Sequence, residues 1–273
     1  MSIKTFLLIS LFILNLWANE HIVSLSPSIT EIIYGLDAGD ELVGTSSYSL
    51  YPKAAQKLPV VGGYTRPNIE KIIALKPSLV VGQTFNRDTL QKLRYFHIKT
   101  LMLQLKTIAD IQKSIALLGK TLSKTTNANK LITNITDAIQ SIVKNKHPHS
   151  VLIVYGLKED LRNGIYAAGK NIFFNDIITL SGNTNVCESM HSNQPVLSYE
   201  NIIALNPEQI IILHSHATEP NVNVKKALQS WYALPTKAAK NRQISVVDED
   251  YLHIPSQRVA LTIKRLAQEM RHD

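Results

Sequence analysis

Tyrosines and histidines recur between the apolar runs of this chain: Tyr48, Tyr51 and Tyr64 with Arg66 and Phe85 in the first half, then Gln194, His214, His216, Tyr251 and His253. Aromatic faces supply apolar contact and stacking, and imidazoles supply coordination, so the set suits a large flat metal complex. A narrower reading takes His214, His216 and His253 as ligands of a bare transition-metal ion, because in an extended chain the imidazoles of His214-x-His216 project to one side. Enzyme signatures do not emerge. Residues 164–170, Gly-Ile-Tyr-Ala-Ala-Gly-Lys, fit a phosphate loop except at the last place, where Asn171 stands instead of the Ser or Thr that magnesium requires. The preceding apolar run also ends at about Tyr155, too far back for a tight strand-loop-helix cradle. Gly-x-Ser-x-Gly, His-Glu-x-x-His and Gly-x-Gly-x-x-Gly are all missing from the chain. A binding protein is therefore expected, with no catalytic residue or catalytic cofactor; a secreted chelatase-like enzyme on a related scaffold is the reading from a different class.

Two glutamates share a repeated setting. Glu70-Lys-Ile-Ile-Ala-Leu-Lys-Pro77 matches Glu200-Asn-Ile-Ile-Ala-Leu-Asn-Pro207 at six of eight positions, and each copy runs into an apolar β-branched stretch, at 79–81 and 210–212. Each unit reads as a short helix, a proline stop and a buried strand. A duplication of this kind implies two lobes with a cleft between them. Aligning the copies sets Gln83, Thr84 and Phe85 against Leu213, His214 and Ser215, so that both post-strand loops face the cleft.

The surrounding pattern alternates in the same way. Strands are expected at 21–25, 42–45, 79–81, 99–103, 151–155, 210–212 and 243–247, with helices between them, which predicts parallel-rich sheets flanked by helices. Ser28-x-x-Glu31 has the spacing of a capping box. Residues 123–146 carry apolar positions at helical spacing and are long enough, about 35 Å, to cross between lobes as one stiff helix that restricts closure. His147-Pro148 ends it.

At the N-terminus, Lys4 precedes an apolar run from Phe6 to Trp17 that ends at Ala18, the pattern of a cleavable secretory signal peptide. The organisation expected is a signal peptide at 1–18, an N-terminal lobe at 19–122, a connecting helix at 123–147 and a C-terminal lobe at 148–273. The mature chain is expected outside the cytoplasm, not spanning the membrane and monomeric. Lys and Arg exceed Asp and Glu by 29 to 21, yet the basic residues are scattered without an aromatic-interleaved stripe, so solvated helix faces are expected and nucleic acid is not. A single cysteine, Cys187, excludes an internal disulfide framework.

Several segments together resemble the class III periplasmic substrate-binding proteins of cobalamin, haem and iron-siderophore importers: 21–31, 42–52, 58–64, 68–77, 168–170 and 197–207. The segment Ser46-Ser-Tyr-Ser-Leu-Tyr-Pro52 is most similar to the cobalamin binders. The resemblance implies two α/β lobes joined by one long rigid helix, a metal chelate such as cobalamin, haem or a ferric siderophore held between them, and an ABC permease dimer with its ATPase as partner. It implies that Glu70 and Glu200 dock the two permease subunits, and that Tyr64 stands where relatives carry a Trp or a Tyr against the ligand. The chain departs from cobalamin-binding relatives in offering Gln83 or Phe85 and Gln194 in place of tryptophans. It keeps Asp250-Tyr251 but lacks the arginine expected a few residues later.

Overall fold

The structure is a computed structural model that describes residues 20–215 and 222–271. The expected signal peptide and His216 lie outside the described residues. Two sheets form two α/β lobes. In the first, β1 (Ile22–Ser24), β2 (Leu42–Gly44), β3 (Leu79–Gln83) and β4 (Lys99–Leu103) are all parallel in the order β2-β1-β3-β4, with α1 (Pro27–Gly35), α2 (Ile69–Ala74) and α3 (Arg87–Tyr95) as crossovers. Two further helices follow, α4 (Ile108–Thr121) and α5 (Thr125–Gln140). The second lobe comprises β5 (Ser150–Tyr155), β6 (Ile165–Ala167), α6 (Phe173–Leu180), β7 (Thr184–Asn185), β8 (Val196–Leu197), α7 (Tyr199–Leu205) and β9 (Gln209–Leu213). It ends with α8 (Val224–Tyr232), α9 (Lys237–Lys240), β10 (Ile244–Val247) and α10 (Val259–Glu269). Its sheet runs β10-β9-β5-β6-β8, with β7 beside β5; β6 alone runs against the others, antiparallel to both β5 and β8.

The central strands Val151 to Val154 and Ile210 to Leu213 are apolar without alternation because helices cover both faces. One continuous core runs from Ile22 and Ile33 through Ile115 of α4 and Ile135 of α5 to Ile153, Ile177 and Leu266. The lobes are thus joined by packed side chains as well as by chain. A Cβ at Gly119 would lie 2.4 Å from the Cβ of Ala128, so glycine is what lets α4 and α5 approach this closely.

Two local readings are corrected. Ser26, not Ser28, caps α1: its hydroxyl accepts from the Ile29 N–H and Pro27 takes the first helical position, which leaves Glu31 in mid-helix. The crossing helix ends at Gln140 rather than at 146, giving sixteen residues or about 24 Å. Tertiary hydrogen bonds take over beyond it. The Asn145 N–H donates to Ser181 O, and its side-chain amide donates to Asn183 Oδ1 and Met270 O, which fastens that segment to the second lobe in an irregular form.

Candidate functional site: the cleft between the lobes

A cleft of about 1370 Å³ opens between the lobes, above the carboxyl ends of β1, β3, β5 and β9. That is larger than the roughly 300–1,000 Å³ of pockets that take drug-sized ligands. The first lobe contributes Tyr48, Tyr51, Tyr64 and Phe85, all half-exposed with their rings at the cleft wall. Hydroxyl chemistry holds the loop that carries the first two. Buried Thr30 on α1 meets Thr45 Oγ1 at 2.8 Å and Ser49 Oγ at 3.1 Å, and Ser49 meets Ser46 Oγ at 2.9 Å. Asn86 organises the other two. Its amide donates to Tyr64 O at 2.7 Å while its carbonyl oxygen accepts from Gln83 N at 2.9 Å, and the Tyr64 and Phe85 rings meet edge to face at 5.7 Å. Gly62 precedes this turn at φ +119°, a backbone that disfavours any side chain.

The opposite wall comes from the second lobe. Phe173 and Phe174 pack with centroids 4.1 Å apart at the start of α6, and Tyr155 at the end of β5 meets Phe174 at 5.7 Å and His253 at 6.0 Å. Burial pushes the Tyr155 hydroxyl pKa up, partly countered by its hydrogen bond with Gln194, so it stays protonated as a neutral donor. Phe173 N donates to Lys106 O at 2.7 Å and Ile108 N to Asp176 Oδ2 at 2.8 Å, which fixes this wall to the strand end of the first lobe.

Of the residues singled out in the sequence, Tyr48, Tyr51, Tyr64, Phe85, Gln194 and His253 line the cleft. Arg66 is exposed outside it. His214 is buried and does not line it. Strand alternation is the reason: the ladder continues through the hydrogen bond from His214 N to Val247 O, so Leu213 and Ser215 face the cleft and the residue between them turns to the other face. Tyr251 is half-buried against the core beside the cleft, with Arg258 5.8 Å from its ring. Among the described residues no three His, Cys, Asp or Glu side chains gather as a metal-ion site. Cys187 is buried in the second lobe, where burial pushes its thiol up to about 11 and keeps it neutral.

Sequence reasoning missed the charged floor. Arg258, eight positions after Asp250, reaches the cleft although no arginine stands where one was expected. It donates to Glu31 through Nε at 2.9 Å and Nη2 at 2.5 Å, and to Asp250 through Nη1 at 2.9 Å. Burial works against the guanidinium charge, but the Glu31 and Asp250 carboxylates outweigh it and hold the Arg258 pKa above its ordinary value. The arrangement offers aromatic walls, a fixed ion pair and hydroxyl donors.

A family model described as a periplasmic binding protein matches residues 22–251. The chain belongs to the periplasmic binding protein family. Among curated members, a vitamin B12-binding protein of Vibrio vulnificus is 30% identical over 255 residues, covering 91% of this chain and 89% of the relative. Among solved structures, the periplasmic vitamin B12 binding protein of Vibrio cholerae superposes with TM-score 0.75 at 26% identity, over 92% of this chain and 96% of that one. The periplasmic haem binding protein of Vibrio cholerae gives TM-score 0.78 at 22% identity, over 93% and 100%, which establishes shared fold alone. The family and these similar proteins are binding proteins. No helix among the described residues is long and apolar enough to cross a membrane.

Glu70 and Glu200 occupy equivalent first-turn positions of α2 and α7, both exposed, behind the caps Asn68 and Ser198. The Ser198 hydroxyl, its own backbone N–H and the Tyr199 hydroxyl hold the Glu200 carboxyl below the usual range, so it stays ionised. Each helix begins one residue after its cap, whose side chain accepts from the third helical N–H: Lys71 N onto Asn68 and Asn201 N onto Ser198.

Proposed function

We propose that this protein is the substrate-binding component of an ABC importer that captures a metal chelate, cobalamin before haem or a ferric siderophore, and delivers it to a permease dimer driven by its ATPase. In this reading residues 1–18 are a signal peptide removed on export, and the mature chain works in the periplasm as a monomer. Lobes 19–122 and 148–273, tied by 123–147, form one stiff unit. The observation that carries the reading is the large cleft walled by Tyr48, Tyr51, Tyr64 and Phe85 on one side and by Phe173, Phe174 and Tyr155 on the other. Flat aromatic walls across an open gap match a macrocycle better than a bare ion. The curated vitamin B12-binding relatives, similar over nine-tenths of the chain, favour a corrinoid. The bare-ion alternative loses support because His214 turns away from the cleft that His253 lines.

Glu70 and Glu200 are the proposed docking points. A protein that seats on a two-fold channel needs matching charges on both halves, and each carboxylate sits where a helix start favours it.

Tyr64→Ala is expected to weaken cyanocobalamin binding by about ten- to a hundredfold, as for an aromatic anchor at the centre of a contact, without lowering the melting temperature. Isothermal titration with a parallel thermal melt checks it. Unchanged affinity for cyanocobalamin and haemin in this variant would remove the aromatic wall from the proposal.

A further inference from the structure

The Glu31–Arg258 pair joins residues 227 positions apart, one on α1 of the first lobe and one just before α10 of the second. Both side chains are almost fully buried, at 3% and 10% exposure. Glu31 receives three donors: two from the guanidinium and the Ser256 hydroxyl at 2.6 Å. Ser256 in turn accepts from Arg258 N at 3.2 Å. With Nη1 held by Asp250, the guanidinium plane cannot turn. Its carbon lies 3.9 Å from the Tyr51 ring centroid of the first lobe and 5.8 Å from that of Tyr251 in the second.

A buried ion pair is weak evidence for stability, since apolar residues of similar volume often serve as well. What this pair does that apolar residues would not is set a flat cation against a cleft tyrosine. The hydroxyl cluster pins positions 45, 46 and 49 of the loop, whereas the half-exposed Tyr51 ring stacks on Arg258. We propose that Arg258, clamped by Glu31 across the junction of the lobes, is a positioning residue that holds the Tyr51 wall in its ligand-receiving orientation. This rests on the cleft being the ligand site. Ordering the ring beforehand removes a cost that binding would otherwise carry.

The test deletes the pair together, because removing both charges spares the fold the penalty of one unpaired ion. Glu31→Met with Arg258→Met is expected to melt within a few degrees of the parent and to bind cyanocobalamin about tenfold more weakly, the scale of a partly desolvated cation–aromatic contact. Tyr51→Ala should lose at least as much, and the triple variant no more than Tyr51→Ala alone, because the pair acts through that ring. Losses that multiply in the triple variant, or parent-like affinity in the pair variant, overturn the proposal. Arg258→Lys gives a second reading free of ligand and of the double substitution. Its ammonium cannot stack or fork, so the Tyr51 ring resonance of the ligand-free protein should shift and lose its single-conformer line shape. An unchanged resonance overturns the proposal too. A parent protein that binds neither cyanocobalamin nor haemin would instead sink the ligand assignment, leaving the ring resonance to judge the positioning role.

Discussion

Reversing both proposed docking charges, Glu70→Lys with Glu200→Lys, is expected to abolish ligand delivery while leaving ligand affinity at the parent value. Both carboxylates are exposed on short helices, and neither lines the cleft, so neither contributes to its walls. At an interface with arginines, replacing a desolvated charge pair by like charges costs at least about 2–5 kcal/mol per site, so the two together lower docking by about a thousandfold or more. Each single reversal leaves the other lobe seated and should retain measurable transport. Uptake into proteoliposomes holding the cognate permease, set beside titration calorimetry of the same variants, separates the two quantities. Transport that survives the double reversal, or ligand binding that disappears with it, contradicts the docking role.

Breaking the clasp from one side should be far more damaging than deleting it whole. Arg258→Ala leaves the Glu31 carboxylate buried at the lobe junction with the Ser256 hydroxyl as its remaining named donor. An uncompensated buried charge of this kind costs about 3–5 kcal/mol. For a chain of this size that corresponds to a fall in melting temperature of about 10 °C, given roughly 2–4 °C per kcal/mol. Calorimetric melting of the parent, Arg258→Ala, and Glu31→Met with Arg258→Met measures the contrast. Equal melting temperatures in the two variants would show that the pair contributes as packing volume rather than as a matched charge.

Local signals in the sequence carried most of the fold. The repeated helix-proline-strand unit has its own punctuation, so α2 with β3 and α7 with β9 were readable from 70–81 and 200–212 alone. The aromatic wall was readable as well, because Tyr48, Tyr51, Tyr64 and Phe85 lie on loops that follow legible strands. What escaped depends on distant partners. Glu31 looks like part of a capping box until Ser26 takes the cap, and its real partner stands 227 residues away. Phe173 and Phe174 open a helix that local spacing announces, but their place at the cleft depends on distant partners, Lys106 O accepting from Phe173 N and Asp176 accepting from Ile108 N. Aligning the repeats fixes the strand end at His214 but not which face its side chain takes; the bond from His214 N to Val247 O extends the strand and turns it away from the cleft. The end of the crossing helix is illegible for the same reason, since Asn145 is fastened by groups at 181, 183 and 270 that no local period can announce.

The most direct test of ligand capture is native mass spectrometry of the mature chain, with absorbance spectra, after incubation with cyanocobalamin, haemin, a ferric siderophore and free zinc or iron salts in parallel. The expected result is a one-to-one complex with a chelate, cyanocobalamin retained most tightly, and no uptake of free ions. Stoichiometric retention of a free metal ion with no chelate bound would contradict the capture of a metal complex between the lobes.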